Sequence, residues 1–543
     1  MSESPVPARV LDQLRRNLQT AEIAFTEGDI QGIIEKGFLN RVVAFEHIID
    51  QTSIDTVPDH LKEWHDTNDS QEPHLSSGGP AVAPPPTTTT ALPPDTLSKH
   101  TITDIAALLQ TRQISSLELT EQALARIAQR DSLLNAYQLV LADQARVAAQ
   151  QADTAIASGD YRGPLHGVPI AVKDLLAMAG TVTTAGSKIH AQTITDFDSA
   201  AVAHLQKAGA IIVGKTRLSE FAYSPGSNNA HYGPTCNPWN PAHDSGGSSS
   251  GSAVAVADGM AYGALGTDTG GSIRIPAALC GLVGLKPTFG RISLYGATSL
   301  AWSLDHLGPI TRSVGDAALL LNVLAGYDPR DIRTSQMVRP VSDNLDEGVQ
   351  GLRIGVLTDD GTGELPASTE ATTAWQQGLA LLEQQGAQLV PLSVPEIHAL
   401  RVLHATMLGL EASAYHLPHL RIRLDDYGEF MRQRVLAAFA YGTHAYMYTQ
   451  QARSIFRQRS NQYFEQIDLL STPAQPEGAP LLGTPAPTTF TGAFNILGWP
   501  AISVPVGVTV DQLPLGLQLV GKPWDEETVL RAARAIERMQ PHG

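Results

Sequence analysis

Two stripes of apolar positions at helical spacing open the chain. Leu11, Leu14, Leu18, Ala21 and Phe25 recur at three- and four-residue steps, and Ile30, Ile33, Ile34, Phe38, Val42, Phe45 and Ile49 repeat the pattern. Two amphipathic helices of this length bury too little to be stable alone, so they are predicted to dock on a main domain or on a copy of themselves. An exposed stripe favours a dimerisation element over a passive appendage. The stretch "SSGGPAVAPPPTTTTALPPD", residues 76–95, breaks the periodicity and reads as an extended, semi-rigid linker. Beyond it the period alternates. "TITDIAALLQT" and "SSLELTEQALARIAQ" read as helices, the second opening with the capping-box spacing of Ser115 and Glu118. "GVPIAVKD", "AIIVGK", "GLRIGVLT", "PAISVPVGV" and "GLQLVG" read as strands. The alternation predicts an α/β domain without internal repeats. The chain therefore divides into an N-terminal helical extension (1–75), a Pro/Thr-rich linker (76–96) and a main domain (97–543).

Composition narrows the partners. With 543 residues, one large domain plus an accessory piece is the natural prior. The formal net charge of −17 argues against a nucleic-acid or anionic-membrane partner, since either needs a clustered basic face. Cys236 and Cys280 can make neither a disulfide framework nor a complete structural zinc site, which fits a reducing compartment. The 17 histidines contain no H-E-x-x-H cluster, so no metal is expected. No apolar leader or window of 18 apolar residues stands out, and a soluble, cytoplasmic protein is expected.

Two motifs compete for attention and fail on context. "GAIIVGKT", residues 209–216, fits the phosphate-loop pattern G-x-x-x-x-G-K-[ST] at every position. Its intervening residues Ala210, Ile211, Ile212 and Val213 suit a buried strand rather than a polar loop, so the segment reads as a core strand ending in a glycine and a surface lysine. Gly247, Ser249 and Gly251 satisfy G-x-S-x-G, but "TCNPWNPAHDSG" before them is not the hydrophobic strand that a nucleophile elbow requires. A Ser–His–Asp site would have to draw on His306, His404 or His444, and spacing selects none of them.

A different serine arrangement explains more of the chain. "GGSSSGSA" is followed by "GTDTGGSIRIPAA", with Ser272 lying 272 − 248 = 24 positions after Ser248, and the strand "GVPIAVKD" upstream carries Lys173 near its end. With "GLKPTFGRIS" (284–293), "DHLGPITRSV" (305–314), "FNILGWPAISVPVG" and "LPLGLQLVGKPWDEETVL", the sequence resembles the amidase signature family over residues 97–540. The resemblance implies a large mixed β-sheet flanked by helices and a Ser–cis-Ser–Lys triad. Carried over by position, Ser272 is the acylating nucleophile, Ser248 the bridging serine after a cis peptide bond, and Lys173 the base. Ser249 supports the relay, Ser250 fills space, and Asp268 and Arg274 hold the loops. The backbone N–H groups of Thr269, Gly270, Gly271 and Ser272 form an oxyanion hole.

The physics of the roles stands on its own. A free lysine, with a pKa near 10.4, is protonated at neutral pH, and burial disfavours that charged form and yields a neutral base. Val168, Ile170 and Val172 place Lys173 at the end of a buried strand. The implied reaction is hydrolysis of a carboxylic amide through an acyl-enzyme, without metal or organic cofactor, and faster on the alkaline side of neutral. Carbamates, ureas and esters fit the same relay. The expected partner is a small amide, with a possible homodimer through the N-terminal helices. The alternative is the glutamine-hydrolysing subunit of a tRNA-dependent amidotransferase. Against it stand the N-terminal helical extension and "LDDYGEFMRQRVLAAFAYGTHAYMY", where glutamine-using members carry a serine–arginine–tyrosine–aspartate–glycine stretch. The extension would then be a fused equivalent of a small helical partner subunit. For substrate contacts, the variable stretch 395–490 offers Tyr415, His416, Phe430, Phe439, Tyr441 and Tyr446.

Overall fold

Near-continuous apolar runs such as Pro169–Lys173 and Ile211–Thr216 have no polar face to give to water, and they occupy positions covered on both sides. The computed structural model describes residues 6–51, 100–336, 339–341, 345–363 and 365–539. Eleven strands form one sheet: β1 (Tyr137–Val140), β2 (Pro169–Lys173), β3 (Ile211–Thr216), β4 (Gly263–Thr267), β5 (Val283–Lys286), β6 (Leu307–Thr311), β7 (Arg353–Asp359), β8 (Gln388–Ser393), β9 (Leu469–Pro473), β10 (Ala501–Val508) and β11 (Pro514–Gly521). Their order is β1-β3-β2-β4-β6-β5-β10-β11-β9-β7-β8. The pairs β2–β3, β2–β4, β7–β8 and β7–β9 are parallel and the rest antiparallel. The sheet is thus mixed and helix-flanked, as the family resemblance implies. Parallel pairing sets β2 beside β4 with Val172 opposite Leu265, so the C-terminal ends of both strands open at the same edge.

The phosphate-loop mimic is β3 itself. Lys215 is not at the surface: it is fully buried, with Nζ 2.8 Å from Asp174 Oδ1 and donating to Val182 O and Thr183 Oγ1. Asp174, the neighbour of Lys173, is thereby committed to a different lysine.

The N-terminal stripes fold into three helices rather than two: α1 (Ala8–Thr20), α2 (Glu27–Glu35) and α3 (Asn40–Gln51). Thr26 and Asp29 make a reciprocal capping box that starts α2. Gly37, at φ +64°, turns the chain before α3 and cuts the second stripe in two. The stripe is not exposed. Leu14, Leu18, Ile33, Val42 and Phe45 are buried in the same core as Leu403, Met407, Val435 and Tyr441 of the main domain. Asn17 donates to Phe439 O at 2.6 Å, Asp29 pairs with Arg432 at 2.8 Å, and Phe45 meets Tyr441 edge-on. With the stripe covered by its own chain, the physical reason for expecting self-association through it is gone. Residues 52–99, including the expected linker, lie outside the described residues. Among the described residues no helix is long and apolar enough to cross a membrane.

Candidate active site

Lys173 ends β2 and is completely buried. Its Nζ donates to Ser248 Oγ at 2.7 Å, Ser249 Oγ at 2.9 Å and Thr267 Oγ1 at 2.9 Å. Burial pushes its pKa down to about 7, against the opposing pull of the Asp268 and Asp305 charges. Three hydroxyl oxygens can therefore accept from the ammonium, while the apolar surroundings make the neutral amine accessible near neutral pH. Ser248 follows a cis peptide bond from Gly247. A Cβ on Gly247 would come within 2.2 Å of Gly226 O, so only glycine fits where the serine loop passes that backbone. Ser249 precedes the helix Ser250–Ala257, and its Oγ also donates to Thr267 O and accepts from Thr267 N.

Ser272 stands in the turn between β4 and the short helix Arg274–Leu279, 8% exposed. Its carbonyl accepts from Ser249 N, and its hydroxyl makes no hydrogen bond among the described residues. The lysine-to-Ser248 half of the expected relay is in contact, and the Ser248-to-Ser272 half is not hydrogen-bonded. The loop around Ser272 is fixed from behind. Asp268 Oδ1 accepts from Gly271 N at 2.7 Å, so Gly271 is not free to bind an oxyanion. The N–H groups of Thr269, Gly270 and Ser272 have no partner among the described residues. Arg274 Nε and Nη2 donate to the two Asp268 oxygens at 3.0 and 2.9 Å, and its other donors reach Gln518 and Asn495. Burial alone would raise the Asp268 carboxyl, but the Arg274 charge holds it well below the usual carboxylate range. Three further residues set the loop: His404 Nε2 with Thr269 O at 2.7 Å, Thr491 Oγ1 donating to Gly270 O at 2.6 Å, and Thr269 Oγ1 donating to Asp305 at 2.7 Å.

Ser272, Thr269 and Gly270 line a cavity shared with Tyr223, Leu300, Arg401, His404, Arg434 and Arg41. Arg41 comes from α3, a segment to which the sequence assigned no chemistry. Its signal was an arginine among the apolar inward positions Phe38, Val42 and Phe45. A second recess, lined by Thr267, Thr298, Trp302 and Asp305, adjoins the first through Ala222, Thr269 and Leu300. Of the six residues expected to shape specificity, none lines the cavity of Ser272. Phe430 borders a wider opening outside this cavity, lined also by Arg41, Pro225 and Thr488, and packs on Phe38; Tyr441 is buried against Phe45, and His416 is buried between Tyr427 and Phe221. Core packing claimed His416 and Tyr441, whereas Tyr415 and Tyr446 lie exposed away from the cavity. No histidine hydrogen-bonds Ser248, Ser249 or Ser272 among the described residues; His306 Nδ1 is directed at Leu304 O, and His404 serves Thr269 O.

Comparison with known proteins agrees with this architecture. The sequence profile of the family described as Amidase matches residues 118–530. A glutamyl-tRNA(Gln) amidotransferase subunit of Anaeromyxobacter dehalogenans is 40% identical over 482 residues, spanning 82% of this chain and 97% of the relative. A solved structure of a vestigial protein complex, described as revealing the origins of an s-triazine catabolic enzyme, superimposes with TM-score 0.78 at 34% identity, covering 81% and 98% of the two chains. 6-Aminohexanoate cyclic dimer hydrolase superimposes with TM-score 0.74 at 28% identity, covering 82% and 98%. The amidotransferase relative corrects an expectation. Net charge argued against any nucleic-acid partner, yet a relative this similar is named as one subunit of an enzyme of glutamyl-tRNA. Net charge is a whole-chain sum, and in a multi-subunit enzyme another chain can carry the basic face.

Proposed function

We propose that this chain, which belongs to the amidase signature family, hydrolyses a carboxylic amide C–N bond through an acyl-enzyme on Ser272. The observation that carries the reading is a fully buried Lys173 with Nζ 2.7 Å from Ser248 Oγ, beside a serine that opens into a cavity. In the proposed sequence neutral Lys173 takes a proton through Ser248 from Ser272, whose oxygen attacks the carbonyl. The Ser248–Ser272 contact closes when substrate seats the nucleophile, as catalytic hydrogen bonds commonly tighten in the Michaelis complex. The N–H groups of Thr269, Gly270 and Ser272 receive the developing negative charge, and Gly271 is left to Asp268. The relay then protonates the leaving nitrogen, and water repeats the steps to free the acid. Carbamates and esters are accessible to the same groups.

The relatives favour a second setting for this half-reaction. Their names support an ammonia-releasing subunit of a tRNA-dependent amidotransferase, with protein and tRNA partners, more directly than a free-standing hydrolase. Against glutamine as the donor stands the lining of the Ser272 cavity, which has no Asp or Glu; Asp305, in the adjoining recess, already accepts from Thr269, Ser299, Leu300 and Ala301. Ammonia or amine release from simple amides, an anilide, a carbamate, biuret and glutamine separates the two, using wild type beside Ser272→Ala. Turnover of non-glutamine amides that Ser272→Ala abolishes supports the hydrolase. Turnover of glutamine alone selects the amidotransferase setting.

A further inference from the structure

The entrance to the Ser272 cavity is cationic and is completed by the N-terminal extension. Arg41 on α3, Arg401 on the helix Glu396–Leu420 and Arg434 on the helix Glu429–Ala437 line it together. The same three guanidinium groups border the wider opening outside it, beside Pro225 and Thr488. Only Arg401 is neutralised, by Asp360 at 2.9 Å. Among the described residues no carboxylate lies within ion-pair distance of Arg41 or Arg434. Arg434 is held in place without a counter-charge: its Nη1 donates to Tyr223 O at 2.9 Å, and its guanidinium stacks 4.2 Å from the Tyr223 ring centroid. Its Nε is buried with no hydrogen-bond partner. Burial first, and then the nearby Arg41 charge, lower its pKa to about 10. His404, between these arginines and the oxyanion loop, is pushed down to about 4 by burial, so it adds a neutral dipole and not a third charge.

Two like charges converging on a cavity without a carboxylate cost free energy, and an anion between them removes that cost. Planar guanidinium groups suit a carboxylate, which can accept from both. We propose that Arg41 and Arg434 bind a carboxylate on the acyl or leaving portion of the substrate, so that the N-terminal helices complete the active site and select an anionic amide. This inference rests on the acyl-enzyme reading of Ser272. It also assigns the extension a role in specificity, through one side chain that reaches the cavity.

The test uses the full chain and a matched pair of amides, succinamate and butanamide, which differ by a terminal carboxylate. Ammonia release gives kcat/KM for each, and succinate binding is measured by titration calorimetry on the same preparations. Succinamate is expected to be preferred, and Arg41→Met, which keeps the aliphatic stem against α3's neighbours, is expected to lower the succinamate-to-butanamide ratio roughly ten- to hundredfold. Arg41→Lys is expected to restore part of the ratio, and thermal unfolding of each variant separates lost recognition from lost fold. Equal ratios in wild type and Arg41→Met, or inorganic phosphate binding as tightly as succinate, would overturn the carboxylate assignment. Succinate binding that depends on Arg41 with neither amide turned over would instead retain the anion subsite and overturn the hydrolytic reading.

Discussion

In the proposed reaction Lys173 acts through one property, a charge that burial makes costly. Because its pKa is lowered to about 7, the neutral base is the minor form below that pH and the major form above it. The limb of kcat/KM controlled by this group should therefore rise with pH through about 7 and level off on the alkaline side. Thr267 offers one of three oxygens to the ammonium. Thr267→Val removes an acceptor that favours the charged form, so the acidic limb should move to lower pH. An unmoved limb in that variant would assign the base elsewhere. Lys173→Ala should reduce kcat by about 10²–10⁴-fold, the range for loss of a positioned base, with folding retained by circular dichroism. The contact of Lys173 with Ser248 and Ser249 was legible because the motifs that carry them are local in sequence. Thr267, His404 and Thr491 were not, because their roles depend on strand pairing and on helices that return from more than a hundred residues away.

At the scale of elements, the loop that carries Ser272 is rigid because a buried charge network stands behind it. Asp268→Ala would leave Arg274 buried without its partner and should cost about 3–5 kcal/mol in denaturant unfolding. A loss under about 1 kcal/mol would mean that Gln518 and Asn495 already satisfy the arginine. The N-terminal helices show a different balance. Their apolar periodicity revealed that helices form and which faces they bury, but Gly37 and the Thr26 cap make three helices where the stripe alone suggested two. Nor could periodicity say what covers them, since a second copy and the main domain offer the same apolar chemistry. Leu14→Ala should destabilise the docked unit by about 2–5 kcal/mol, read as earlier proteolytic release of the extension. Unchanged proteolysis would mean that α1 is held by Asn17 and its polar contacts instead.

Across the whole molecule, the sheet brings Lys173, the Ser248 loop and the Ser272 loop to one edge, while Arg41 of α3 reaches the same cavity from outside. Strands β2, β3, β7, β10 and β11 were legible from their apolar runs, whereas β4 (Gly263–Thr267), β5 (Val283–Lys286) and β6 (Leu307–Thr311) are short and interrupted by glycine, proline or lysine and gave no such signal. The likeness to an amidotransferase subunit was not readable from charge, because −17 is a sum over the whole chain and says nothing of a locally cationic cavity entrance. The central claim is that Ser272 becomes acylated with Lys173 as the base. Peptide-mapping mass spectrometry after acid quench of a reaction with p-nitrophenyl acetate tests it most directly, since the aryl ester acylates quickly and leaves water to finish the slow step. The account expects an acetyl group on the peptide that holds Ser272, absent in Ser272→Ala and formed at least about a hundredfold more slowly in Lys173→Ala. Acetylation at another residue with Ser272 unmodified, or an equal rate in Lys173→Ala, would contradict it.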